Sequence, residues 1–297
     1  MKRLTAWIWA AALSLSVCSG AAASGRDLVV ATITIVDGGP ATVIHAASKL
    51  SSLEGASISN EDIIETSSTT SVLRLEFNGG LTLDVGPSSR VMVKPGPAAG
   101  EAPVAYLLDG WAKLSVSQSL AGKAVLTSPA LDVTAVDRDL VLHVKGGESE
   151  LFAESGGVQV QVLGKHGKAS PTNSSTKVDR GNFMARHQDG TVDVSSRPGQ
   201  AFVQSVPRAF MDTLPSRLTL FTGKDIHLEP AGRLSYEDTQ AWLNAEPRIR
   251  TRFLSRWKPL LQDEAFRRAL TAQLSLHPEW HPILYPPKPH ANEAVKP

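Results

Sequence analysis

The densest grouping of side chains able to do chemistry is His277-Pro278-Glu279-Trp280-His281, with His290 further on. A metal site needs side chains that converge on one point, and on an extended strand the alternating His277, Glu279 and His281 would share a face. Pro278 and Pro282 oppose a regular strand. The reading taken is a helix stop whose Trp280 packs back on the preceding helices, so no metal or other cofactor is assigned.

A second grouping is basic: Arg248, Arg250, Arg252, Arg256, Arg267 and Arg268, with Trp257 nearby. Such a cluster could hold phosphate, an acidic polymer or a nucleic-acid backbone. Glu246, Asp263 and Glu264 interrupt its field. The expectation is a solvated helix face, with Arg248, Arg252 and Arg256 kept as candidate binding residues.

Nucleophilic catalysis finds no support. His143, His166 and His187 accompany many serines, but none sits in Gly-x-Ser-x-Gly or another motif of an activated nucleophile. The acid pairs Glu61 with Asp62 and Asp137 with Asp139 fall in turns or at strand edges, where carboxylates bond backbone groups; Asp62 is expected to bond its own turn. Gly79-Gly80 and Gly146-Gly147 are turn glycines and form no phosphate-binding loop. The reading is a protein that is not an enzyme.

The elements that would position these residues differ along the chain. A length of 297 residues is about two domains at ~100 to 200 residues each. The composition, 42% hydrophobic and 20% charged, suits a globular protein, and a net charge of +1 gives no global attraction to nucleic acid or anionic membrane. Met1-Lys2-Arg3, the apolar run Leu4 to Val17 and Ala21-Ala22-Ala23 read as a signal peptide, residues 1–23, cut near Ala23. Val17 stands before Cys18 where a lipidation signal carries a small residue, so a periplasmic or secreted protein without lipid is expected. Cleavage would remove the only cysteine, leaving no disulfide and no transmembrane span.

From Leu28 to about Val194 the pattern has period two, with turns between short apolar runs. Ile33 and Ile35, then Asp37-Gly38-Gly39-Pro40, then Thr42-Val43-Ile44 read as a first hairpin. In "RLEFNGGLTLDVGPSS", Arg74 to Ser89, a three-residue Asn78-Gly79-Gly80 loop sets Phe77 across from Leu81, Leu75 from Leu83 and Leu73 from Val85. The same register puts Arg74 opposite Asp84 on the outer face. Further strands are expected at 90–93, 104–108, 111–116, 124–127, 131–136, 140–144, 150–153 and 158–163. His166 to Lys177 reads as an exposed loop. Trp111 and Lys113 lie on the face opposite Ala112, Leu114 and Val116, so Trp111 either contacts a partner or fills a second packed layer.

After Ala201 the texture becomes helical. Ser235 with Asp238 forms a capping signal, Pro247 suits a first helical position, and Asp263 can cap a helix carrying Phe266 and Leu270. The expected organisation is a β domain over 28–197, a helical module over 201–285 and a disordered Pro-rich tail over 286–297.

"EDIIETSSTTSVLRLEFNGGLTLDVGPSS", Glu61 to Ser89, resembles the FecR domain, with Asp62, Ile64, Thr66, Gly80, Pro87 and Ser89 at matching places. The resemblance continues through Gly110, Ser128-Pro129 and Gly157 and covers 28–162. Glu61 replaces the family glycine before Asp62, and Ala135-Val136-Asp137 stands where a Gly-Thr pair is usual. The resemblance implies an all-β extracytoplasmic interaction domain, a sandwich or roll of short antiparallel strands, with Asp62, Thr66, Gly79, Gly80 and Gly110 as structural turn residues. Its best-known members follow a transmembrane helix and relay a signal to a sigma-factor regulator. Here no cytoplasmic segment is read ahead of the signal peptide, so envelope signalling or scaffolding through another envelope protein is expected. The alternative is a module binding cell wall or polysaccharide through exposed aromatics and the basic helical face.

Overall fold

The computed structural model describes residues 29–94, 104–120, 123–135, 138–164 and 175–286. The signal segment with Cys18, residues His166, Asp137 and His290, the Asn173-Ser174 part of the expected loop, and the tail beyond Pro286 lie outside the described residues.

The protein is mainly β, with a short helical region near its C-terminus. In chain order the strands are β1 (Val29–Asp37), β2 (Ala41–His45), β3 (Ser48–Ser51), β4 (Ser57–Ser59), β5 (Ile63–Thr66), β6 (Val72–Phe77), β7 (Leu81–Val85), β8 (Arg90–Val93) and β9 (Ala105–Val116). Then follow β10 (Ala124–Thr127), β11 (Leu131–Ala135), β12 (Arg138–Lys145), β13 (Glu148–Phe152), β14 (Val158–Val162), β15 (Ser175–Val178), β16 (Phe183–Arg186), β17 (Val192–Ser195) and β18 (Glu229–Pro230). The helices are α1 (Gln200–Ser205), α2 (Tyr236–Leu243), α3 (Pro247–Arg250), α4 (Phe253–Arg256), α5 (Glu264–Ala272) and α6 (His281–Leu284).

One sheet runs β4-β1-β6-β7-β9-β12-β13-β16-β17. The second runs β18-β3-β2-β5-β8-β9-β10-β11-β14-β15, and among these described strands only the β9–β10 pair is parallel. Strand β9 belongs to both. Its first half pairs with β8 and β10, its second with β7 and β12. The sheets enclose a core that includes Ile33, Val43, Leu75, Leu83, Val91, Leu107, Leu114, Val133 and Leu142.

The hairpin expected at 74–89 forms in the register read from its alternation, Leu73 to Val85 through Phe77 to Leu81. Gly79 and Gly80 both take positive φ, which glycine adopts without a side-chain clash. The first hairpin does not form. Strand β1 pairs with β4 and β6, while β2 pairs with β3 and β5, so Asp37 to Pro40 is an arch from one sheet to the other. Crossing puts Ile33 of β1 and Val43 of β2 into the same central core from facing sheets. Ile33 and Ile35 also part company, because the register shifts between them. Ile33 enters the central core and Ile35 the outer layer.

The strands expected at 104–108 and 111–116 are halves of the single bent β9. The inward residues change parity at the bend: Ala105 and Leu107 before it, Ala112, Leu114 and Val116 after it. Ser175 to Lys177, expected in a loop, instead form part of β15 through pairing with Gln159 to Gln161.

Two further layers cover the outer faces. A strap from Gly199 to Phe221 crosses the first sheet, where Phe202 and Phe210 pack with Ile35, Val72, Trp111, Val141 and Phe183. Helices α2 to α6 cover the second sheet, with Trp242, Phe253, Trp257, Phe266 and Trp280 packing with Ile44, Ile63, Met92 and Tyr106. The helix-start signals act as expected. Ser235 and Asp238 make a reciprocal capping box, Pro247 opens α3, and Asp263 accepts from the amides of Ala265 and Phe266.

Gly110 sits at the bend of β9 with φ of +92°, and a Cβ there would lie 2.3 Å from Ser89 Oγ and 2.5 Å from its Cα. Gly110→Ala combines a left-handed backbone with a clash against buried main chain, so it should cost about 3 kcal/mol or more in chemical denaturation. A loss below about 1 kcal/mol would mean the bend tolerates a side chain.

Candidate functional site

Of the residues that resemble the FecR pattern, Thr66, Pro87, Ser89 and Gly110 meet at that bend. Thr66 Oγ1 donates to the Gly86 carbonyl at 2.6 Å and accepts from Ser89 N–H at 2.9 Å. Ser89 Oγ donates to the Pro87 carbonyl and accepts from Trp111 N–H at 2.7 Å. Asp62 bonds its turn as expected: Oδ2 accepts from Ser59 N–H at 2.8 Å, while Oδ1 lies 2.7 Å from His45 Nδ1. Glu61, which stands where the FecR pattern has glycine, holds a positive φ of 65°. Its carboxylate accepts from Arg252 at 3.0 Å and its carbonyl from Arg256. The Glu61 turn is thus held by the helical layer.

None of the expected binding residues presents a free surface. Trp111 is only 7% exposed. It stacks on His143 with ring centroids 3.8 Å apart and meets Phe202 of the strap, so it fills the second packed layer. Lys113 donates to the Phe210 carbonyl at 2.6 Å and pairs with Glu154 at 2.8 Å. Arg248 bonds Glu246, Asp132 and the carbonyl of Ser128. Arg256 donates to the carbonyls of Ala46, Glu61 and Ile44. Arg248 and Arg256 are therefore committed to carbonyls and carboxylates of the fold, which corrects the expectation of a solvated face for them, while Arg267 and Arg268 are exposed as expected. Burial lowers the Arg256 pKa, with Asp62 and Glu61 acting the other way.

Polar contacts fasten both covering layers. Arg74 and Asp84 form a two-pronged ion pair, with Nε to Oδ1 at 2.6 Å and a second bond at 2.7 Å. The register is the expected one, but the pair is buried, because the strap lies over it and Arg74 also donates to the Leu214 carbonyl. Glu76 accepts from the Ser216 hydroxyl and from Arg217 N–H. On the other side Trp242 Nε1–H donates to Glu65, whose pKa burial raises, and Lys49 pairs with Asp238 at 2.7 Å.

The His-x-Glu-x-His grouping does not converge. His277 is buried and hydrogen-bonds the Tyr236 hydroxyl at 2.9 Å, Glu279 pairs with Arg250 at 3.0 Å, and His281 lies against Tyr285. Trp280 is buried among the helices, as the helix-stop reading expects. Among the described residues no cluster of three His, Cys, Asp or Glu is arranged to hold a metal ion.

What stays open is backbone and apolar surface. Strand β17 pairs only with β16 among the described strands. His187 N–H bonds the Thr191 carbonyl at the hairpin's turn, so by the antiparallel alternation Ala185 with Asp193 and Phe183 with Ser195 exchange the ladder bonds. The amide and carbonyl groups of Val192 and Val194 then point out from the edge, and the Val194 side chain is 48% exposed. A small apolar cleft of about 90 Å³ opens on the first sheet between Val141, Phe152, Phe202 and Phe210, with exposed Val203 and Met211 at its rim. The edge was legible only as the Val192-Asp193-Val194 alternation after Asp189-Gly190; nothing in it says that no strand follows alongside.

No family model and no curated protein matches this chain. Two crystal structures of a provisionally assigned anti-sigma factor from Parabacteroides distasonis align with 48% of the chain at 11% identity and a TM-score of 0.37. This chain covers 64% and 65% of those two chains, less than two thirds of their length. Among the described residues no helix is long and apolar enough to cross a membrane.

Two expectations test these contacts. Asp84→Leu leaves Arg74 charged and buried, so it should cost about 3–5 kcal/mol in urea unfolding, whereas Arg74→Met with Asp84→Leu should restore most of that loss. Equal losses in the single and double variants would show that the pair itself stabilises the fold. The second concerns pH. Burial lowers the His277 pKa, opposed by Glu279 and by a Leu243 backbone bond and aided by Arg250. Below the unfolded value of about 6.5 the unfolded chain takes up a proton that the folded chain resists, so stability falls as pH drops through that window. Urea midpoints should decline from about pH 7.5 to 5.5, and His277→Phe should flatten the slope; an unchanged slope would assign it to other groups.

Proposed function

We propose that this is a non-enzymatic protein of the cell envelope that binds another envelope protein by strand addition at the β17 edge, in signalling or scaffolding. The observation that carries this reading is the open edge of β17, with the outward amides of Val192 and Val194 and the exposed Val194 side chain. An added strand gains main-chain hydrogen bonds there, and its alternate side chains supply selectivity. The signal-peptide pattern supports an extracytoplasmic location, and the order of FecR-like motifs from Glu61 to Gly157 supports an interaction domain. The engagement of His277, Glu279, Trp111 and the inward arginines in folding contacts supports a binding role over a catalytic one.

Val194→Pro removes an outward N–H and leaves the ladder bonds to β16 in place. In capture from envelope extracts the wild-type chain should retain a defined partner, identified by mass spectrometry, and the variant should lose it at unchanged Tm. Retention of the same partner by Val194→Pro would sink strand addition at this edge. Recovery of the chain in the cytoplasmic fraction of its host would sink the envelope assignment.

A further inference from the structure

The arginines that read as one cluster divide into two groups of opposite purpose. Arg248, Arg250, Arg252 and Arg256 turn inward to Asp132, Glu279, Glu61 and backbone carbonyls. Arg267 and Arg268 stand exposed on the outer side of α5, and neither guanidinium makes an ion pair or hydrogen bond with a described residue. With Glu264, Thr271, Leu284 and Tyr285 they line an open cleft of about 570 Å³. Tyr285 is 53% exposed, with its ring 5.2 Å from that of His281. Trp280, buried just before α6, anchors this wall of the cleft to the helical core.

We propose that this cleft binds an acidic polysaccharide. The argument is one of matching chemistry. Guanidinium groups recognise carboxylates through paired, charge-assisted hydrogen bonds, and two of them are available here. An exposed aromatic ring offers a flat apolar face to the C–H side of a sugar, while Glu264 accepts from hydroxyl groups at the same rim. The cleft lies within the ~300–1,000 Å³ usual for small-ligand sites and is open enough for a polymer to pass through. A phosphate cradle at the start of α5 is disfavoured, because Asp263 already occupies the amides of Ala265 and Phe266. This surface is on the helical layer, so it is independent of the proposed β17 edge.

The test is affinity electrophoresis of the full chain in gels containing polygalacturonate, with neutral dextran as the comparison. Polygalacturonate should retard the wild-type chain and dextran should not. Arg267→Glu with Arg268→Glu should weaken retardation by about tenfold or more, the loss expected for a charge-assisted pair. Tyr285→Ala should weaken it by about fivefold, consistent with one lost ring contact. A matched pair, Arg180→Glu with Arg208→Glu, makes the same charge change at exposed positions elsewhere and should stay within about twofold of wild type. Far-UV circular dichroism checks that each variant is folded, and Arg267→Gln with Arg268→Gln replaces the first pair should it unfold. Absence of retardation, equal retardation in dextran, or equal losses in the matched pair would each overturn the proposal, the last by reducing it to net charge. Loss of the protein partner in Val194→Pro with retained polysaccharide binding would separate the two surfaces.

Discussion

The bend of β9 at Gly110 is the constraint on which both sheets depend. A strand that leaves one sheet for another exposes amides and carbonyls that ladder pairing no longer satisfies, and burial makes each unmet group costly. Here the hydroxyls of Thr66 and Ser89 take over, joining the end of β5, the Gly86 to Ser89 turn and the Trp111 amide in one buried set of hydrogen bonds. Because β9 pairs with β7 and β12 on one side of the bend and with β8 and β10 on the other, its position fixes the placement of each sheet relative to the other. The residues that resemble the FecR pattern are, at this point, residues of architecture.

A sandwich with apolar side chains on its outer as well as inner faces needs cover, and this chain supplies it from its own C-terminal third. The strap shields one sheet and the helices shield the other, each fastened by charged groups that reach across. Arg74, Asp84 and Glu76 hold the strap; Glu65, Glu61 and the inward arginines hold the helices. Side chains that could have served a ligand are thereby committed to the fold. Among the described residues, the β17 edge and the outer side of α5 are places that neither cover reaches.

Much of the β pattern was legible. The alternation in β6 and β7 and the glycines between them specify their register, since a slip of one residue would turn every apolar side chain to the wrong face. Helix starts were legible for the same reason of locality: Ser235 and Asp263 accept from amides within a turn of themselves, and Pro247 has the fixed φ of a first helical residue. The arch at Asp37 to Pro40 was not, because Gly-rich turns of similar composition serve hairpins and arches alike. Nor was the fate of Trp111 or Arg256. A side chain on an outer face reads the same whether water or another segment lies over it, although Ile35, Val72 and Val141 on the same face hinted at a cover.

The amino-acid sequence by itself determined the mainly β class, the register of the β6–β7 hairpin and the helix starts, all of which rest on interactions between near neighbours in the chain. Only the tertiary structure decided which arginines are structural, that Trp111 is buried, and that among the described strands β17 pairs with β16 alone. Those outcomes depend on contacts between segments far apart in sequence, such as Lys113 with Phe210 and Arg256 with Ile44. Local periodicity carries no information about which distant segment will exclude water from a given face.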